Sequence, residues 1–188
     1  MYRFDNYVSI DCEMVGVGPE GKESALARVS IVNYYGNVIL DKFVLPREKV
    51  VDYRTHVSGI TKEILKDAEP FLEVQKEVAD ILKNKLVIGH SLEHDFNALL
   101  LDHPSKLIRD TSHYKPFRKI TNGSTPSLKK LTKAILGLDV QAGEHSSVED
   151  AQATMLLYRK VRNEWENELK RMDKNNEKPI INKNSNNI

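Results

Sequence analysis

Residues 7–17 read YVSIDCEMVGV, an apolar run broken by two acids, Asp11 and Glu13, with a single cysteine, Cys12, between them. The β-branched residues and the glycine at 16 favour a strand over a helix. Side chains alternate along a strand, so Ser9, Asp11 and Glu13 share one face while Val8, Ile10, Cys12 and Met14 share the other. Burial of the apolar face then holds the two carboxylates roughly 6–7 Å apart along one edge of a core. At that spacing they repel by roughly 3 kcal/mol at an effective dielectric near 20. A hard divalent cation such as Mg²⁺, which prefers carboxylate oxygens and water, relieves the repulsion. A half-exposed strand with a solvated acidic face is the plainer reading. This stretch alone leaves both open.

The rest of the chain narrows the choice. Its 188 residues, 40% hydrophobic and 29% charged, suit one domain with a real core. No membrane span and no secretory leader are expected, because no apolar run is long enough and no charged-then-apolar segment opens the chain. A lone cysteine cannot close an internal disulfide, which predicts a reducing compartment, cytosolic or nuclear. The net charge of +1 says little by itself, but its distribution is uneven. Lys106, Arg109, Lys115, Arg118, Lys119, Lys129, Lys130 and Lys133 fall in one segment that holds a single acid, Asp110. Such a segment offers a positive field to a polyanion, although solvated surface is its commoner use.

The order of elements is strands first, then strands and helices in alternation. NYVSIDCEMVGV, LARVSIVNYY and NVILDKFVLP read as three strands, the last two joined as a hairpin through Gly36-Asn37. Thr61 is a fair N-cap for a short helix over KEILKDAE that Pro70 closes. FLEVQKEVADILKN carries apolar residues at 71, 74, 78, 81 and 82, a helical stripe. KLVIG is a short buried strand ended by Gly89, and SLEHDFNALLL and SLKKLTKAILG are amphipathic helices, the second stopped by Gly137. SSVEDAQATMLLYRKVRNEW is the last long helix. The Asn- and Lys-rich stretch 169–188 has little to bury and is expected to be disordered, leaving a domain over 1–168. This pattern predicts an α/β fold, a mixed sheet with helices on both faces.

Two further acids are placed where they can join the first pair. Asp95 lies at the border of its helix's apolar stripe, in a helix that follows a buried strand directly. Ligands bind at that end of the strands in open α/β sheets. Asp150 opens the last helix, where Ser146 and Glu149 form a capping box that by itself accounts for acids in the first turn. Capping does not account for His145. A neutral imidazole there is suited to accept a proton from water near pH 7.

In order, DCE, GHSLEHDF and HSSVEDA resemble the three motifs of the DEDDh 3′→5′ exonucleases, a ribonuclease-H-like superfamily. The flanks DYRTHVSGIT, RDTSHYKPFRK and GEHSSVEDAQATMLLY are more similar still to the RNA exonuclease 4 group, kin of the interferon-stimulated 20 kDa exonucleases, over residues from about 7 to about 165. The resemblance implies a ribonuclease-H-like mixed sheet and hydrolysis of RNA from its 3′ end to nucleoside 5′-monophosphates. It implies that Asp11, Glu13, Asp95 and Asp150 hold two Mg²⁺ or Mn²⁺ ions and that His145 is the general base. Met14 and Arg54 match positions that touch the terminal nucleotide and its ribose, and His94 falls on the substrate side. Single-stranded RNA is the implied partner, with DNA as a substrate in vitro, and pre-ribosomal RNA processing in the nucleolus is the implied setting. Members of that group commonly carry a basic N-terminal extension, whereas here the first strand is expected close to the start.

Two rival readings remain. HSLEH, residues 90–94, fits the H-x-x-E-H zinc-peptidase pattern with His90 and His94 as ligands. It gives no use to Asp11, Glu13, His145 or Asp150. An RNA-binding assembly factor with the same fold and little catalysis is the other alternative, although every catalytic-type residue is present.

Overall fold

The computed structural model describes residues 4–140 and 145–176. The chain divides at Tyr158/Arg159 into two units. In the first, among the described residues, six strands form one sheet in the order β4-β3-β2-β1-β5-β6. They are β1 (Tyr7–Val17), β2 (Glu23–Asn33), β3 (Val38–Leu45), β4 (Glu69–Pro70), β5 (Leu86–Gly89) and β6 (Ile108–Asp110). β1, β2 and β3 pair antiparallel and β5 and β6 continue the sheet in parallel, so the sheet is mixed as expected.

The alternation in β1 sorts its residues as the sequence predicts. Val8, Ile10 and Cys12 join a buried core with Val29 and Ile31 of β2 and Leu40 and Val44 of β3. Helix α2 (Phe71–Leu82) closes that face with Phe71, Val74, Val78 and Leu82, and α3 (Leu92–Leu99) adds Leu92 and Leu99. The opposite face receives the start of the last helix (Ser147–Asn176), where the Ser147 and Ser30 hydroxyls share a 2.6 Å hydrogen bond. A smaller core of Val15, Ala27, Ile60 and Leu65 lies under the loop that carries α1 (Thr55–Ser58). Thr61 accepts the Ile64 N–H at 3.3 Å, but only a 3₁₀ turn, Ile64–Asp67, follows.

Further features depart from the sequence reading. β6 and the short helix α4 (Lys115–Arg118) were not expected, being too brief to show a period. The helix expected over 127–137 is α5 (Leu128–Leu131) followed by a π-helical turn, Thr132–Leu136, with Gly137 left-handed at its end. The last helix, α6, runs through Asn176, so residues 169–176 are helical where disorder was expected. A helix already nucleated gains one hydrogen bond per residue added, and Leu169, Lys170, Arg171 and Met172 are good helix formers. Residues 177–188 lie outside the described residues. In the second unit the described part, 159–176, is helix throughout. Among the described residues no helix is long and apolar enough to cross a membrane.

Candidate active site

β1 is paired with β5 only from Tyr7 to Ser9, because β5 ends at Gly89. A Cβ on Gly89 would run into the Leu92 side chain, so glycine lets α3 start close against the strand end. Beyond Ser9, Asp11 and Glu13 lie on the margin of β1 that β5 no longer covers. A bulge between Glu13 and Met14 bends the strand there, a common device beside functional sites. The result is a cleft of about 790 Å³ onto which Asp11, Glu13, Asp95 and His145 open. Asp150, in the first turn of α6, is buried behind them with Oδ2 at 3.7 Å from His145 Nδ1. Acids far apart in sequence are thus gathered at one point.

Electrostatics there are unfavourable by construction. Burial pushes the Glu13 carboxyl up to about 8, with the Asp150 charge adding and the Arg28 guanidinium pulling back. Glu13 Oε1 is buried with no hydrogen-bond partner among the described residues. Burial likewise raises Asp95 to about 7, against the Cys12 thiol and backbone N–H that it accepts. Asp11 is raised well above the carboxylate range by burial and then by Asp95, Asp150 and Glu13. The Cys12 thiol is pushed up by burial and by the Asp95 charge, so it stays a neutral donor. Among the described residues no three His, Cys, Asp or Glu side chains already stand in position to hold one ion. Carboxylates without a counter-charge repel one another, and a divalent cation is what draws such a set together.

The histidines separate by their surroundings. His145 is anchored through its N–H to the Val57 carbonyl at 2.9 Å, at the end of α1. With Nδ1 turned to Asp150, Nε2 is the nitrogen left for the cleft. His94 is exposed on α3 and lines the cleft. His90 lines the cleft too, but its Nδ1 is engaged in a 2.9 Å hydrogen bond with Thr111 Oγ1, and burial lowers its pKa. His90 also precedes the helix, across a left-handed Ser91 at φ 61. The helical His90–His94 pair that a zinc peptidase needs is therefore not formed.

Met14 and Arg54 lie on the cleft wall, but Arg54 is already occupied. Its guanidinium donates to Ser24 Oγ and Gly21 O at 2.9 Å and to Glu23 O at 3.3 Å, fastening the β1–β2 loop beside the cleft. Glu23 and Ser24, which open β2, also line the cleft, and nothing in their local sequence singles them out. The basic segment is not a continuous strip either. Arg109 is buried and donates to the Lys106 and Ile108 carbonyls, whereas Lys106, Lys115, Lys119, Lys129, Lys130 and Lys133 are exposed.

A model of the exonuclease family (RNase_T) matches residues 8–158. The chain is similar to RNA exonuclease 4 of Saccharomyces cerevisiae, 62% identical over 161 residues that make up 85% of this chain and 56% of that one. It is 56% identical to RNA exonuclease 4 of Homo sapiens over 159 residues, 85% of this chain and 38% of that one. It therefore spans little more than half of the yeast relative and less of the human one. A solved structure of the Saccharomyces cerevisiae Pan2 pseudoubiquitin hydrolase–RNA exonuclease module in complex with A7 RNA is similar with a TM-score of 0.75 and 29% identity, covering 91% of this chain and 31% of that one. The ribonuclease-H-like fold and the likeness to the DEDD-type 3′→5′ exonucleases are borne out. The chain belongs to the exonuclease family.

Proposed function

We propose that this exonuclease-family chain hydrolyses single-stranded RNA from its 3′ end, releasing nucleoside 5′-monophosphates, and that Asp11, Glu13, Asp95 and Asp150 hold the divalent cations it requires. The observation that carries the reading is the gathering of buried acids around one cleft with the Glu13 Oε1 atom unpartnered among the described residues. Bare carboxylates cost stability wherever they are buried, so a fold that keeps them together points to a cation as their partner. Two Mg²⁺ or Mn²⁺ ions, the complement the motifs imply, supply charge stabilisation at the phosphate and a more acidic water.

The chain's own residues do the rest. His145 Nε2 accepts the proton of the attacking water, and Asp150, beside Nδ1, stabilises the imidazolium that forms. Asp95 is held by the Cys12 thiol and N–H. Met14, His94 and the loop fastened by Arg54 form the wall that receives the terminal nucleotide, and contact with a 2′-hydroxyl there separates RNA from DNA. The RNA exonuclease 4 relatives and the RNA held by the Pan2 module support RNA as substrate. The motif resemblance extends the proposal to pre-ribosomal RNA in the nucleolus.

The test is digestion of end-labelled single-stranded RNA and DNA with Mg²⁺, Mn²⁺ or chelator. Mononucleotides from linear RNA, metal dependence, and resistance of circular or 3′-phosphorylated RNA are expected. Efficient cutting of a circle would show an endonuclease, and full binding without turnover in any metal would favour the RNA-binding alternative.

A further inference from the structure

Helix α3 begins under unfavourable local conditions. Ser91, its N-cap, is left-handed at φ 61, and its side chain makes no cap hydrogen bond. That backbone is costly for a residue other than glycine, and the first N–H groups of a helix need acceptors. The acceptor comes from another strand. Asp110, the last residue of β6 and 9% exposed, takes the Ser91 N–H on Oδ1 at 2.9 Å and the Leu92 N–H on Oδ2 at 3.0 Å. Oδ1 also accepts from the Ser112 N–H and hydroxyl at 2.9 and 2.7 Å, and His113 Nδ1 lies 3.5 Å from Oδ2. Thr111 returns to the same junction, donating from N–H and Oγ1 to the Gly89 carbonyl at 2.9 and 3.0 Å.

We propose that Asp110 is a positioning residue for Asp95: by gripping the start of α3 with both carboxylate oxygens, it sets the turn from which Asp95 meets Asp11 and Glu13. This rests on the reading of Asp95 as a metal ligand. An ordinary helix cap does not account for it. Asp110 adds a negative charge that opposes ionisation of Asp95, in a region already rich in anions. A side-chain cap at position 91 would reach the N–H groups two or three residues on, not those of Ser91 and Leu92 that Asp110 takes. What only the carboxylate offers is two acceptor oxygens in one rigid plane, joined to a strand of the sheet. A carboxamide has one acceptor oxygen and would aim its NH₂ at a donor.

The experiment compares Mn²⁺ binding, with no other ligand, and single-turnover digestion of single-stranded RNA for the full chain and its variants. Asp95→Asn is expected to lose binding. Asp110→Asn is expected to bind Mn²⁺ roughly 10–100-fold more weakly, the scale for groups that orient metal ligands. It should lower kcat and leave KM for RNA within about twofold, because no substrate contact is removed. Ser112→Ala, which deletes one donor to Oδ1, should shift affinity in the same direction by less. If Asp110→Asn binds Mn²⁺ as tightly as the parent chain or tighter, with kcat unchanged while folded, the charge effect alone operates and positioning is overturned. Should Asp110→Asn fail to fold, Ser112→Ala decides: weakened affinity supports the proposal and unchanged affinity and kcat overturn it. A parent chain that binds no Mn²⁺, or Asp95→Asn that binds normally, overturns the metal reading and this proposal with it. Binding lost in Asp95→Asn but untouched in Asp110→Asn overturns this proposal alone.

Discussion

Arg28 stands between two acids, directly across the β1–β2 pair from Glu13 and one strand away from Asp41 on β3. It commits itself to Asp41. Nε and Nη2 reach the two Asp41 oxygens at 2.9 Å, the Ser30 hydroxyl adds a third donor at 2.8 Å, and the guanidinium lies 5.0 Å from the centre of the Phe43 ring. Asp41 is accordingly held below the usual carboxylate range, chiefly by the Arg28 hydrogen bonds. Glu13, more deeply buried, is pushed up to about 8 by burial and the Asp150 charge, and Arg28 offsets only part of this. A cation within reach of both is tied to the acid at the rim and withheld from the acid in the cleft. The sheet thus builds one finished ion pair and leaves one carboxylate waiting for a partner from outside.

The sharpest way to break that contrast is to neutralise each acid in turn. Glu13→Gln is expected to cost roughly 10³-fold or more in turnover, the scale of losing preorganised charge at a reacting phosphate. Asp41→Asn at saturating Mg²⁺ should cost less than about threefold, since nothing at the cleft is removed. Stability should move the other way: without metal at pH 9, Glu13→Gln raises Tm and Asp41→Asn lowers it. Equal losses of turnover, measured with end-labelled RNA, would erase the distinction. His145→Ala comes next, with a loss of roughly 10²–10⁴-fold expected of a missing general base. Its Mn²⁺ affinity should persist, because no ligand is deleted, and part of the rate should return at high pH.

The third expected effect is on stability against pH in chelator. Glu13, Asp95 and Asp11 have raised values in the fold, so the folded chain keeps protons that the unfolded chain has already lost above the ordinary carboxylate range. Their contribution is full below about pH 4 and is lost as pH rises through about 7 and about 8. Asp41 works with the opposite sign, stabilising above the ordinary carboxylate range and losing its effect as pH falls through its lowered value. Tm should therefore fall between pH 5 and pH 9 without metal, a slope that Glu13→Gln reduces. Mg²⁺ at pH 8 should raise Tm and release protons, measurable by titration calorimetry in two buffers.

This contrast also marks where sequence reasoning stops. The strand over 7–17, the hairpin through Gly36 and the α2 stripe were legible because alternation and helical spacing are local. The gathering of Asp11, Glu13, Asp95, His145 and Asp150 was legible as three motifs in chain order, each beside an element whose end could be read. The partner chosen by Arg28 was not, since both acids lie across strand pairs and register alone decides. Asp110 was visible only as a lone acid in a basic segment. It ends a strand of three residues, Ile108–Asp110, and acts on N–H groups of Ser91 and Leu92, far back along the chain. The occupation of Arg54 by Gly21 and by Glu23 and Ser24 at the start of β2 was hidden for the same reason.

The smallest expected effect tests whether Arg28 is held away from Glu13 on purpose or by accident of register. Arg28→Lys keeps the charge but has one compact donor group, so it cannot grip both Asp41 oxygens and loses the flat contact with Phe43. The partly exposed pair is worth about 1 kcal/mol, which for a chain of this size is about 2–4 °C in Tm. The released ammonium is then free to swing to Glu13, where it competes with the incoming cation. Half-saturating Mg²⁺ should rise by about twofold while kcat at saturation stays unchanged, the signature of weakened ground-state binding of the metal alone. Asp41→Asn should produce the same rise, because it frees the guanidinium itself. A lower Tm with unchanged Mg²⁺ dependence in both variants would mean that Arg28 serves only the edge of the sheet, and that Glu13 is left bare by burial and not by the commitment of its neighbour.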